Sequence, residues 1–390
     1  MVHFSSRSEF TSQPNPLTAA LDAARARREP LLDLTESNPT RAGLSPSVEQ
    51  LHAALSSERL DQYEPEPFGL LSARTLLARE LAEQGFVVDP ACVMLTASTS
   101  EAYGYLFKLL CDPGDELLVP APSYPLFDVL AQLEQVKLVP YPLRYDGEWH
   151  IDPSELARAR TARTRAVVTV HPNNPTGSFL KHDELAALAA LGLPVISDEV
   201  FVEYALTHDA RRALSALELA PHALVFRLSG LSKLCALPQL KLAWTAISGP
   251  GPLVQAARSR LEHLADSYLS PSTPVQLALP ALLAEGAHTR ARIRTRLEQN
   301  LALLSATFQG SAASVLQVEG GWYAIVRVPS VCDDETWALT LLERDRVLVQ
   351  PGYYYELSGT HLVLSLLCEP GPFAEGVARL AARVATHANA

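Results

Sequence analysis

The chain has 390 residues, a formal net charge of -11, and 48% apolar against 19% charged residues. That length exceeds what one hydrophobic core usually holds, so a large unit with a smaller partner is expected, and the apolar content excludes general disorder. The negative charge excludes nucleic acid as the main partner, because phosphate backbones need clustered Lys and Arg.

Taken in chain order, MVHFSSRSEFTSQPNP lacks the apolar stretch of a secretory signal. No run of eighteen apolar residues follows, so no membrane span is expected. LLDLTESNPTRAGL (31–44) is apolar and then rich in turn formers, as a loop entering the body would be. Short β-rich runs then alternate with Ala/Leu-rich helical stretches such as DELAALAAL (183–191). The runs are ELLVP (116–120), AVVTVHP (166–172), PVISDE (194–199), ALVFRLS (223–229) and LKLAWTAIS (240–248). Strand–helix–strand order predicts a largely parallel sheet covered on both faces. The last two runs are joined by a short loop, so one strand there is expected to run antiparallel. Beyond about residue 250 the pattern becomes long helices followed by EGGWYAIVRV (319–328) and HLVLSLL (361–367), a smaller α+β unit. The units are drawn at 45–270 (large) and at 1–44 with 271–390 (small).

In α/β sheets, chemistry collects at the carboxyl ends of the strands. Three such ends carry distinctive residues: HPNNPTG (171–177), Asp198, and Ser232-Lys233 after LVFRLSG. Each alone is an ordinary turn, helix start or exposed pair. Together they deliver an amide, a carboxylate and an amine to one sheet edge. That is the kit of pyridoxal-phosphate (PLP) chemistry: an amine for imine formation and proton transfer, and a carboxylate to keep the pyridine nitrogen protonated. An amide donates to the ring oxygen, and an anion site holds the phosphate. LTASTSEAYGYLFKLL (95–110) offers that anion site, with Ser98, Thr99 and Ser100 opening a helix whose free N–H groups suit phosphate.

Only five of the 32 basic residues are lysines, at 108, 137, 181, 233 and 241. Solvated surface groups are the default for Lys137 and Lys181. The five cysteines are far apart with no CxxC pair and read as buried thiols in a reducing cytoplasm. Dinucleotide, Walker, HExxH and paired Cys/His metal motifs are missing.

The segments SNPT (37–40), Tyr63…Gly69…Arg74, TASTSEA (96–102), DPGDELLVPAPSYPLF (112–127), HPNNPTG, SDEV (197–200), LSGLSK (through Lys233), EGGWY (319–323) and VLVQPGYYYE (347–356) resemble the class I/II aminotransferases, PLP enzymes of fold type I. The resemblance covers nearly the whole chain. It implies an α/β fold, with a mostly parallel seven-stranded-type sheet sandwiched by helices plus a small α+β domain. It further implies pyridoxal 5'-phosphate as cofactor, and ping-pong transfer of an amino group from a small-molecule donor to an oxo-acid acceptor. A homodimer in the cytoplasm is implied as well, with neither nucleic acid nor membrane as partner.

Residue by residue, Lys233 looks like the Schiff-base lysine, Asp198 the partner of the pyridine nitrogen, and Asn174 the donor to the ring phenolate. Tyr124 is similar to the ring-stacking aromatic, and Ser98, Thr99 and Ser100 to the phosphate loop. Tyr63 resembles the tyrosine reaching the phosphate from the neighbouring subunit. Three departures stand out. Lys241 replaces the usual phosphate-gripping arginine, and Phe201 replaces a tyrosine donor to the phenolate. Val363 stands at the usual α-carboxylate arginine, with no arginine between 347 and 378. Asn38, Arg41 and His171 are therefore candidates for substrate binding. The loss also keeps open another PLP reaction, such as β-elimination, decarboxylation or a specialised biosynthetic step. A PLP-binding regulator without turnover is the third reading, and the kit at Lys233, Asp198 and Asn174 speaks against it.

Overall fold

The computed structural model describes residues 2–10, 14–56 and 60–388. Its strands are β1 (Leu32–Asp33), β2 (Val93–Thr96), β3 (Glu116–Ala121), β4 (Lys137–Tyr145), β5 (Trp149–Ile151), β6 (Thr164–Val170), β7 (Val195–Asp198), β8 (Val225–Gly230) and β9 (Ala243–Ser248), followed by β10 (Ser314–Val315), β11 (Tyr323–Arg327), β12 (Val347–Leu348), β13 (Gln350–Pro351) and β14 (His361–Ser365).

The large sheet has the order β2-β9-β8-β7-β6-β3-β4-β5. It is parallel from β8 through β4, while β9 is antiparallel to both neighbours, as the short loop after β8 predicted. Eight strands stand where seven were expected. The extra one is β5, a three-residue hairpin return on β4 after the Asp146–Gly147 turn. Side chains alternate across the inner strands as the two-residue period requires. Leu117, Ala166, Val168, Ile196 and Phe226 enter one core, and Leu118, Val167, Val195 and Val225 enter the core on the opposite face. Burial on both faces is why these strands read as unbroken apolar runs.

A third core joins the antiparallel sheet β10-β11-β14-β13 to Leu17, Leu34, Ala42 and Leu44 from the N-terminal segment. Parallel pairing of β1 with β12 ties that segment down. The helix Thr273–Phe308 serves both regions. Its first turns (Val275, Leu279, Leu282) pack under the large sheet, and Ile293, Leu297 and Phe308 pack in the third core. Midway, Gly286 lies so close to Cys235 that an added Cβ would meet its Sγ at 2.4 Å. Among the described residues, no helix is long and apolar enough to cross a membrane.

Candidate active site

The parallel strands run their carboxyl ends to one edge. The chain leaves β3 for β4 on one side, but β6, β7 and β8 build out on the other, and such a switch in direction opens a crevice. A cavity of about 340 Å³ lies there. Its walls carry Tyr124 after β3, Asn174 after β6, Asp198 at the end of β7 and Lys233 after β8, together with Ser98, Thr99, Ser100 and Lys241. The predicted cofactor residues thus converge, Tyr63 apart.

Lys233 sits in a one-turn helix, Leu231–Leu234, entered through Gly230. A Cβ on Gly230 would approach Ala243 Cβ at 2.9 Å, so only glycine allows β8 and β9 to meet so closely below the lysine. Burial pushes the Lys233 amine below its ordinary value, against the pull of Asp198. The backbone carbonyl of Lys233 accepts from the Tyr204 hydroxyl at 2.6 Å. Burial likewise raises the Asp198 carboxyl to about 6, opposed by donors from the Val200 N–H (3.2 Å) and the Tyr103 hydroxyl (3.1 Å).

At the other end of the cavity, Ser98 caps the helix Thr99–Leu110 by accepting from Glu101 N–H at 3.1 Å. That leaves the first-turn N–H groups of Thr99 and Ser100 without internal acceptors, a natural anion cradle. Lys241 has left-handed backbone angles (φ 53°, ψ 59°), a conformation costly for a side-chain-bearing residue and typical of functional positions. Tyr124 is 46% exposed, leaving its ring open to the cavity. The amide oxygen of Asn174 is buried with no protein partner. The same amide borders the cavity, where its N–H groups, not this oxygen, can donate to an added group. Amine, carboxylate, amide and anion cradle together fit pyridoxal 5'-phosphate.

Other expectations change. His171 is fully buried and outside the cavity, because both ring nitrogens are engaged by backbone: Nδ1 accepts from Leu180 N–H (2.9 Å) and Nε2 pairs with Ala213 O (3.2 Å). Burial takes its imidazole down to about 4, so it carries no charge to offer a substrate. Asn38 spends its side-chain oxygen on Thr40, N–H at 3.0 Å and hydroxyl at 2.8 Å, closing a local turn. Arg41 lies outside the lining, its side chain 75% exposed and held by Glu36 at 3.8 Å. Tyr63 stands on the surface, 70% exposed. Lys181 is no surface group: its Nζ is buried against Glu319 (2.6 and 2.7 Å) and Phe179 O (2.9 Å), whereas Lys137 is exposed. The cysteines are free, yet only Cys235 and Cys368 are fully buried.

The structure adds Ser37, Tyr103 and Tyr323 to the walls. Ser37 and Tyr323 lie inside SNPT and EGGWY, and burial raises the Tyr323 hydroxyl to about 12 against a hydrogen bond with Ser37. Phe201 is buried beside the lysine, its ring centre 5.9 Å from Lys233 Nζ and edge-on to Trp322. Val363 is sealed between Ile325 and Gln350 in the small sheet.

The family model for aminotransferase class I and II matches residues 29–369. The chain belongs to this family. It is 24% identical to the tyrosine aminotransferase of Caenorhabditis elegans over 94% of this chain and 82% of that one. It is 29% identical to an alanine aminotransferase of Mycobacterium bovis over 73% and 69%. The alanine aminotransferase structure from Pyrococcus furiosus superposes with a TM-score of 0.88 at 24% identity, over 98% of this chain and all of that one. This aminotransferase therefore has the PLP-dependent type I fold and uses pyridoxal 5'-phosphate to transfer an amino group between amino and oxo acids.

Proposed function

We propose that Lys233 holds the cofactor and moves the proton at the substrate's amine-bearing carbon, with Asp198, Asn174 and the Ser98–Ser100 turn fixing the cofactor around it. The convergence of these side chains on one cavity carries the reading. When bound, pyridoxal phosphate supplies an electron sink that acidifies that carbon. Asp198 keeps a proton on the ring nitrogen by accepting its hydrogen bond. Asn174 donates to the ring oxygen, and Tyr124 offers an aromatic face. Ser98, Thr99, Ser100 and Lys241 hold the phosphate, the last as a point charge where an arginine would fork. Burial lowers the Lys233 amine, so more of it is unprotonated near neutral pH, the form a base needs.

Lys233 and Lys241 are the cations lining the cavity among the described residues, and both are then engaged. A substrate carboxylate needs another. Arg41 is the candidate whose head group is free to move: it is tied to Glu36 at beyond hydrogen-bonding distance, four residues from cavity-lining Ser37. Tyr63 is assigned to the phosphate of a second protomer in a homodimer, and the free thiols favour a cytoplasmic setting.

The test is absorbance of the cofactor-loaded protein during titration with amino acids and then with simple amines. A donor should bleach the resting band and a 2-oxo acid restore it. With Arg41→Ala, half-saturating amino acid should rise at least about tenfold while amines are unmoved. A band indifferent to every donor would sink amino transfer here, and an unaltered Arg41→Ala titration would sink the role of Arg41 alone.

A further inference from the structure

Asp198 does not meet the cofactor unaided. Its Oδ1 accepts from the Val200 N–H at 3.2 Å, and its Oδ2 accepts from the hydroxyl of Tyr103 at 3.1 Å. Tyr103 is 1% exposed, and its ring is fixed by Phe127 edge-on at 5.3 Å and by Phe107 at 5.8 Å. An ordinary core tyrosine needs some acceptor for its hydroxyl. This one is satisfied by a carboxylate that is itself a cavity wall, and Tyr103 lines the same cavity.

The helix that carries Tyr103 is also the one whose first turn forms the anion cradle. Thr99 and Tyr103 are four residues apart and so share a helix face. One rigid element therefore sets both the phosphate end of the site and the group that orients the carboxylate at the far end. Charged neighbours of Asp198 are Lys233 from the turn after β8 and Glu199 next along its own strand end; Tyr103 is the side-chain donor. A buried carboxylate favours its neutral form unless donors hold it charged.

We propose that Tyr103 is a positioning residue for cofactor binding, holding Asp198 ionised and turned so that its remaining lone pairs meet the ring nitrogen. This rests on the assignment of Asp198 to that nitrogen. The hydroxyl contributes through Asp198 and not by touching the substrate, so removing it acts on cofactor affinity and on the pH at which affinity fails.

The experiment strips the cofactor by dialysis and measures pyridoxal-phosphate affinity from pH 5 to 9 for the wild type, Tyr103→Phe, Asp198→Asn and the double variant. Thermal melting checks that each is folded. The expected result is that in Tyr103→Phe the acid-side loss of affinity moves up by about one pH unit. Affinity at pH 8 should fall only about threefold, as for loss of one hydrogen bond. In the Asp198→Asn background Tyr103→Phe should change nothing beyond about twofold. An unmoved acid limb, or an equal loss in both backgrounds, would show Tyr103 to be packing alone. Wild-type affinity and pH profile in Asp198→Asn would overturn the assignment of Asp198 first, and the proposal with it.

Discussion

Phe201 puts a hydrocarbon edge where a hydroxyl would reach toward the cofactor. Its ring centre lies 5.9 Å from Lys233 Nζ, and it is braced by Trp322 and Tyr323, so it has little freedom to be anything but apolar. Fewer donors at the ring oxygen favour the protonated lysine–cofactor link. Phe201→Tyr should therefore lower the pH at which the bound cofactor changes colour by about one unit or more. A spectral titration of the two proteins decides it, and an unchanged midpoint would mean the new hydroxyl does not reach the ring. Residues of this kind also mark the limit of sequence reasoning. That Lys233, Asp198 and Asn174 meet at one cavity was legible from their order at three strand ends, since each alone reads as an ordinary turn, helix start or exposed pair. Tyr103 was not, since a tyrosine on the apolar face of a helix looks the same whether its hydroxyl finds a carbonyl or a catalytic carboxylate.

The turn after β6 is strapped to the loop before β11 by a buried pair. Lys181 reaches Glu319, 138 residues away in sequence, and Glu319 also accepts from the Phe179 N–H at 3.2 Å, with Arg212 stacked 3.9 Å over the Phe179 ring. Lys181 reads as a surface group from its neighbours because the partner is remote; burial of a lysine is a property of the fold. Removing Lys181 leaves Glu319 facing Arg212 alone at 3.9 Å, so the loss should approach but not exceed the about 3–5 kcal/mol typical of breaking a buried pair. Lys181→Met should lower stability by that order in urea unfolding, and Lys181→Met with Glu319→Leu should recover much of it. If the double variant is no better than the single, the pair is not the source of the loss. Local chemistry was more legible: the Asn38–Thr40 turn follows from Asn-Pro-Thr itself, although Asn38 reads from sequence as a substrate candidate. The β5 hairpin was missed because three residues carry too little periodicity to register.

Across the molecule, the largely parallel sheet and the antiparallel β9 followed from the alternation of apolar runs and helical stretches, whereas the strand order did not. The service of one 36-residue helix to two cores did not, because the apolar positions of a helix do not say which core each turn will meet. The exposed Tyr63 gives the homodimer a direct test at this scale. Neither Lys233→Ala nor Tyr63→Ala protomers should turn over well alone. Mixed and reassembled, they should regain activity, since one kind of hybrid site has both residues intact. No recovery, with exchange of protomers shown by mass, would place Tyr63 at its own protomer's site.

The contact between Gly286 and Cys235 has a mechanical meaning. The long helix passes close against Cys235, two residues beyond Lys233, and packs one end in each core. A bulkier residue there, Gly286→Val, should crowd Cys235 and shift the bound cofactor's absorbance although the substitution lies outside the cavity wall; an identical spectrum in a folded variant would show that crowding at Cys235 does not reach Lys233.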